Sequence, residues 1–336
     1  MRNTILIISL LASAFLIPVA TAVAADAITI YSGRSDKFVK PAAAKFTEKT
    51  GIRVVLHSAK STALLAKLKL EGNKTDADLY LSNDAGNLQK GADLGLFQVM
   101  PEDLISSIPA NYRAKDNTWV GLSARARVLV VNTASPWSKK INSVFDLAKP
   151  ELKNQIAITH SGNESFIAGA TVYMLKAGEK DTKNWLAGLK DNSNGQYFNK
   201  HSKVVKAVAT GKANVGLVNH YYIYRYLKKK PDAKIKLVLP DQGKDGLGVA
   251  WNVAGIAISK YSKNAENSLE FIRFLVSTEG QRLFAEVNLE YPTRDKVDTA
   301  MEIPKPGSFH VADIPMSELG RQRDKTIDLI EAIGLP

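Results

Sequence analysis

The residues in this chain best placed to do chemistry are two neighbouring phenols, Tyr221 and Tyr222. Two phenolate oxygens converging on a point suit a hard, highly charged cation, because such ions prefer oxygen ligands. A phenol ionises at roughly pH 10, so only a strong Lewis acid would hold both ionised near neutrality. Ferric iron meets that requirement. The same segment also permits plain packing, since Tyr222 and Tyr226 stand four apart, on one face of any helix they share. The backbone decides between these readings. Successive residues of a strand point to opposite faces, so the pair cannot converge from inside one. Val215, Gly216, Leu217 and Val218 have the length of a buried strand, with Asn219 and His220 following. If the strand stops there and a helix begins, both rings can lean into one cleft.

The elements that must place this segment alternate along the chain. Strands are predicted over 28–31, 52–56 and 78–82, and helices over 36–49, 62–70 and 85–94, with Gly51 and Gly72 as stops. Strands separated by helices in this rhythm argue for an α/β fold with a mostly parallel sheet covered on both faces. Further strands are predicted over 128–131, 156–159, 234–239 and 253–258. Helices are predicted over 142–147, 167–175, 182–189, 202–210, 265–276 and 317–333. Thr278 and Gln281 have capping-box spacing for a helix reaching Val287. A weak internal echo relates the segment from Ala77 to Asp84 to that from Ala213 to His220. Each delivers an asparagine, Asn83 or Asn219, at the carboxyl end of a strand, where ligands bind in open parallel sheets. A chance likeness of two apolar strands explains the echo equally well.

The 336 residues are long for one compact domain and comfortable for two lobes, and 45% hydrophobic content supplies a substantial core. Arg2, an apolar run and the small residues Ala22, Val23 and Ala24 read as a signal peptide over 1–24, cleaved near Ala24. An uncleaved anchor fits less well, because the run is short for a membrane span. With no cysteine, disulfides, thiolate metal sites and cysteine nucleophiles are excluded. The net charge of +12 draws in anions, but no nucleic-acid signature accompanies it. The dense run Lys228, Lys229, Lys230 reads as a solvated helix end. His57, His160, His201, His220 and His310 carry no ligand spacing, and Asp36 and Asp84 read as helix caps.

Taken in order, ITIYSGRS, ADLYLSND, WVGLSARARVLVVN, VNHYY and EYP resemble the ferric-iron-binding periplasmic proteins of bacterial ABC importers, over essentially the whole chain after its leader. The resemblance implies a two-lobed type II periplasmic binding protein, with ligand in the interlobe cleft. One lobe would take 25–127 and 251–303, the other 128–250 and 304–336. It implies Tyr221 and Tyr222 as iron ligands, and an anion such as carbonate, phosphate or citrate held by Arg125, Ser161, Gly162, Asn163 and Asn219. Those three consecutive residues would lie between a strand and a helix, where free N–H groups attract an oxyanion. Arg225, one turn beyond Tyr221, is open to either a cleft-facing or a solvent role. Ser35 and Asn83 stand where many members place a histidine and a glutamate, so this chain departs from the family pattern in that half of the site. The implied protein is a monomeric periplasmic receptor, without enzymatic activity, that hands ferric iron to a membrane permease. Two other readings stay open: a receptor for a phosphorylated or other anionic small molecule, and an exported phosphate-ester hydrolase.

Overall fold

The computed structural model describes residues 26–336, so the expected leader lies outside the described residues. The chain begins β1 (Ala27–Ser32), α1 (Asp36–Thr50), β2 (Arg53–Ser58), α2 (Ser61–Glu71), β3 (Leu79–Ser82), α3 (Ala85–Asp93) and α4 (Glu102–Ile105). It continues with β4 (Val120–Asn132), β5 (Ile156–Thr159), α5 (Glu164–Ala177), α6 (Glu179–Ser193), β6 (Tyr197–Phe198), α7 (His201–Ala209) and β7 (Val215–Asn219). Then follow α8 (Tyr221–Lys229), β8 (Ile235–Val238), β9 (Trp251–Ile258), α9 (Ala265–Val276), α10 (Thr278–Asn288) and β10 (Tyr291–Pro292), ending with α11 (Met316–Arg321) and α12 (Arg323–Ile333).

Among the described residues these strands form one sheet in the order β2-β1-β3-β9-β4-β7-β5-β6, with β8 and β10 also pairing β4. The outer groups, β2-β1-β3 and β7-β5-β6, are parallel, as helices between strands require. Antiparallel pairing enters where β4 and β9 join them. The period of two in β1 assigns its faces. Ile28 and Ile30 pack with Val39 and Phe46 of α1 and Phe271 of α9, while Tyr31 packs with Leu64 and Leu68 of α2 on the other side. Burying residues on both faces is what makes parallel strands read as continuous apolar runs.

The main departure from the sequence reading is β4. A strand over 128–131 was expected, yet the strand spans 13 residues, all of them buried. Its first half pairs with β9, up to Ala126 against Trp251; its second half pairs with β7, from Arg127 against Asn219. Ser123, Arg125 and Arg127 break the apolar run in the sequence, but in the fold each is buried. Two smaller corrections concern helix ends. Ser277 caps α10 by accepting from the Gly280 N–H at 3.1 Å, whereas Gln281 donates to the Leu122 carbonyl and accepts from the Thr293 N–H. The expected helix over 317–333 breaks at Gln322 into α11 and α12. At Gly320, in α11, an added Cβ would lie 2.5 Å from the Cβ of Gln89, so close approach to α3 fixes that residue as glycine.

Candidate functional site

β7 stops at Asn219, and His220 already has helical angles (φ −51°, ψ −44°). Tyr221 and Tyr222 therefore open α8 rather than alternate along a strand, and their ring centroids lie 4.5 Å apart. Both face a cleft of about 830 Å³. One wall comes from the carboxyl ends of β1 and β3, with Arg34, Ser35 and Asn83. The other comes from the starts of α5 and α7, with Gly162, Asn163 and His201. Asn219 donates through Nδ2 to the Tyr221 hydroxyl at 3.2 Å, and Arg127 Nη1 donates to Asn219 Oδ1 at 3.2 Å. Arg225 lays its guanidinium 4.6 Å from the Tyr221 ring and donates to the Asn288 carbonyl at 2.6 Å, which holds the ring in place. The neighbouring Tyr221, followed by burial, pushes the Tyr222 phenol above its usual range. A strong cation bound at its oxygen is then needed to displace its proton into solvent.

The remaining expected residues separate into two groups. Tyr221, Tyr222, Ser35, Asn83, Gly162 and Asn163 line the one cleft. Ser35 begins α1 without a side-chain capping bond, and Asn163 caps α5 by accepting from the Ser165 N–H at 3.0 Å. Ser161 is turned away: its hydroxyl donates to the Leu335 carbonyl at 2.8 Å and its N–H to the Pro336 carbonyl at 2.7 Å. The chain end thus occupies both donors that an anion would use. Arg125 donates to the Asn83 carbonyl, and with Arg127 and Asn219 it lines a narrow recess behind the tyrosines rather than the cleft itself. Within the recess, Arg125 Nη1 and Arg127 Nε and Nη2 are buried without protein partners. Burial is the main reason the Arg127 pKa falls to about 10, still far above neutrality.

Four contributors were missed in the sequence. Arg34 and Glu290 form a bidentate pair at 2.9 and 3.1 Å beside the tyrosines, although 256 residues separate them. His201 stacks on Tyr222 at 5.0 Å with both ring nitrogens buried and unpartnered; burial, then Arg127 and Arg125, hold it neutral. Glu164 reaches across the cleft mouth, accepting from Thr62 N–H at 3.1 Å and Thr62 Oγ1 at 3.2 Å. Its carboxylate meets the first turn of α2, where N–H groups lack helical partners. Only helix-start position hints at His201 and Glu164 in the sequence. Glu164→Gln is expected to speed ligand release from the cleft roughly three- to ten-fold, discounted for exposure, with the urea midpoint unchanged. An unaltered stopped-flow release rate would remove Glu164 from the closing contact.

His220 is no candidate ligand. Its Nδ1 accepts from the Ala126 N–H at 3.2 Å, which leaves the proton on Nε2, 2.7 Å from the Leu289 carbonyl. Burial is the main cause that pulls its pKa down to about 4. Among the described residues, no group of three or more His, Cys, Asp or Glu could hold a metal ion.

Residues 41–309 match the family model described as bacterial extracellular solute-binding protein. The chain belongs to that family. A relative of this solute-binding protein, iron uptake protein A1 of Synechocystis, is 31% identical over 300 residues, covering 87% of this chain and 83% of its own. Among solved structures, the ferric binding protein from Campylobacter jejuni superposes with a TM-score of 0.86 at 28% identity. That match covers 92% of this chain and 100% of that one. A Trichodesmium protein in complex with iron and citrate superposes at 0.80 with 30% identity and the same coverage. The solute-binding protein therefore shares its fold with type II periplasmic binding proteins. Among its described residues no helix is long and apolar enough to cross a membrane.

Proposed function

We propose that this protein captures ferric iron, held together with an oxyanion such as citrate, carbonate or phosphate, and delivers it to the permease of an ABC importer. The observation that carries the reading is the meeting of Tyr221 and Tyr222 in the cleft wall, released from the sheet at His220. The relatives named above are an iron uptake protein and a ferric binding protein, and a citrate complex stands among the structures. Two phenolates leave a six-coordinate ferric ion most of its sphere to fill. Oxygens of the bound oxyanion are the donors that would complete it, as hard ligands for a hard ion.

The residues supporting that anion are Gly162 and Asn163 at the start of α5, with Asn219, Arg127 and His201 behind them. Arg125 contributes charge from the recess, whereas Ser161 orders the chain end. Ser35 and Asn83 face the cleft as neutral groups beside Arg34. We place the lobes at 25–127 with 251–303 and 128–250 with 304–336. Supporting this, β4 changes partners between Ala126 and Arg127, which makes it a shared hinge strand. A leader over 1–24, a periplasmic location, a monomeric state and the absence of catalysis complete the reading, as befits a receptor.

Titrating metal-free protein with ferric citrate tests it. A visible tyrosinate-to-iron band should grow to one equivalent; saturable anion binding without any such band would instead favour a receptor for an anionic small molecule. Each phenolate formed must shed a proton, and proximity and burial keep the Tyr222 proton on at neutral pH. Binding should therefore release about two protons per iron, and affinity should fall as pH drops. A pH-indicator measurement, taken as the difference between wild type and Tyr221→Phe/Tyr222→Phe, reads that number; a difference near zero contradicts tyrosinate coordination.

A further inference from the structure

The positive charge of this protein is gathered at one end of its sheet. β4 ends at Asn132 between the starts of β7 and β8, with Val131 opposite Val215 and Asn132 opposite Ile235. β5, parallel to β7, starts at the same end. Hydrogen bonds tie the adjoining turns together. Gln155 Oε1 accepts from Trp137 Nε1 at 3.0 Å and from Asn214 Nδ2 at 2.6 Å, and the Thr133 N–H donates to the Lys234 carbonyl at 2.9 Å. α7 and α8 pack on one another, begin at the cleft with His201 and Tyr221, and finish here. This end is therefore the pole away from the tyrosines, with the nine residues of α8 spanning about 13 Å between the two.

Four stretches meet at the pole: 133–140, 151–155, 206–214 and 228–236. They carry ten lysines against two acids, Glu151 and Asp232, and so hold +8 of the chain's net +12. Nine of the ten are exposed. Among the described residues none of the ten stands in an ion pair, whereas seven lysines elsewhere do. The dipole of α8 accounts for Lys228 and Lys229 in its last turn, but not for lysines from three other stretches converging on the same place. Crowding unpaired like charges costs stability, which an anionic surface would relieve.

The chemistry of the pole selects among anionic partners. No arginine stands in the four stretches, so the planar fork that grips one carboxylate or phosphate in fixed geometry is missing. Flexible ammonium stems suit a diffuse array of phosphodiesters instead. Half-buried Trp137, with the Lys140 ammonium 5.8 Å from its ring, adds an amphipathic side chain of the kind that settles at headgroup level.

We propose that this pole docks on the surface of a bilayer containing anionic phospholipid, holding the protein at the membrane with its cleft turned away and open to solvent. The inference does not rest on the ferric reading.

Co-sedimentation of the iron-free protein with phosphatidylcholine vesicles containing about one-third phosphatidylglycerol tests this. At about 0.1 M salt, half-saturation is expected at or below about 1 mM accessible lipid, with release at about 0.5 M salt and no binding to pure phosphatidylcholine. Each lysine removed should weaken binding about five-fold, so Lys228→Gln/Lys229→Gln/Lys230→Gln should lose on the order of 100-fold. Lys139→Gln/Lys153→Gln/Lys212→Gln, one from each of the other stretches, should lose as much. Lys69→Gln/Lys115→Gln/Lys263→Gln lowers the net charge equally, at exposed sites on the β1-β3-β9 side of the sheet, and should lose less than about two-fold. Tyr221→Phe/Tyr222→Phe should bind vesicles as wild type does. Failure to bind the anionic vesicles overturns the proposal and leaves the pole to an acidic protein. Equal binding to pure phosphatidylcholine overturns it too. So does an equal loss in the Lys69→Gln/Lys115→Gln/Lys263→Gln variant, which would make total charge responsible, or loss of binding in the tyrosine variant, which would put lipid at the cleft.

Discussion

Tyr221→Phe/Tyr222→Phe is expected to abolish the visible band with ferric citrate and to lower affinity by roughly four orders of magnitude. The estimate takes at least about 3 kcal/mol for each charged partner withdrawn from a buried ion, which is on the order of 100-fold per ring. The fold should survive, because Phe keeps the ring that Arg225 covers and His201 stacks upon. Single variants should not be equivalent. Tyr221 accepts from Asn219, whereas the Tyr222 proton is held on by its neighbour and by burial. Tyr221→Phe removes one phenolate but also relieves Tyr222 of its like-charged neighbour. It should therefore leave a weaker, shifted band rather than none. A double variant that retains both band and affinity would sink the ferric reading outright.

How much of this could be seen in the amino-acid sequence depends on how local the cause is. The helix over 265–276 and the strand over 156–159 coincide with α9 and β5, because periodicity and flanking breakers fix them within a few residues. The turn from β7 into α8 was legible for the same reason, and with it the convergence of the two phenols. Polar residues whose burial depends on distant partners were not legible. Arg125 and Arg127 looked like interruptions of a strand, since their partners Asn83 and Asn219 come from 42 and 92 residues away. Ser161 looked like an anion site because a strand-to-helix turn supplies free N–H groups; nothing nearby shows that the chain end folds back onto it. The EYP segment carried the family likeness, yet no physical role could be given to Glu290 while Arg34 stood 256 residues off.

That pair underlies the second large expectation. Arg34 and Glu290 have side chains 4% and 1% exposed, joined by two hydrogen bonds, and Ser123 Oγ donates a third to Glu290 Oε2 at 2.5 Å. The Phe38 and Phe284 rings flank the guanidinium at 5.3 Å, so little water can screen a charge left alone there. Glu290→Gln preserves shape but strands the Arg34 cation, and should cost about 3–5 kcal/mol in urea unfolding. Replacing both, as Arg34→Met/Glu290→Gln, should cost less than Glu290→Gln alone, since the unpaired charge disappears with its partner. The pH dependence has a definite sign. Burial raises the Glu290 pKa, but the arginines and Ser123 outweigh it and hold the carboxyl below its usual range. A group depressed on folding contributes stability above its unfolded value, roughly 4.3, and loses it as pH falls through the folded value. Glu290→Gln should therefore flatten the acid limb of the stability curve. Arg34 also holds a positive charge within electrostatic reach of both tyrosines, beside the site where iron-bound phenolates would lie. Ferric affinity should then fall in Arg34→Met even after its stability loss is offset by cooling or osmolyte. An unaltered affinity in the folded variant would confine the pair to a structural role and leave the cleft's charge balance to Arg127 and Arg225.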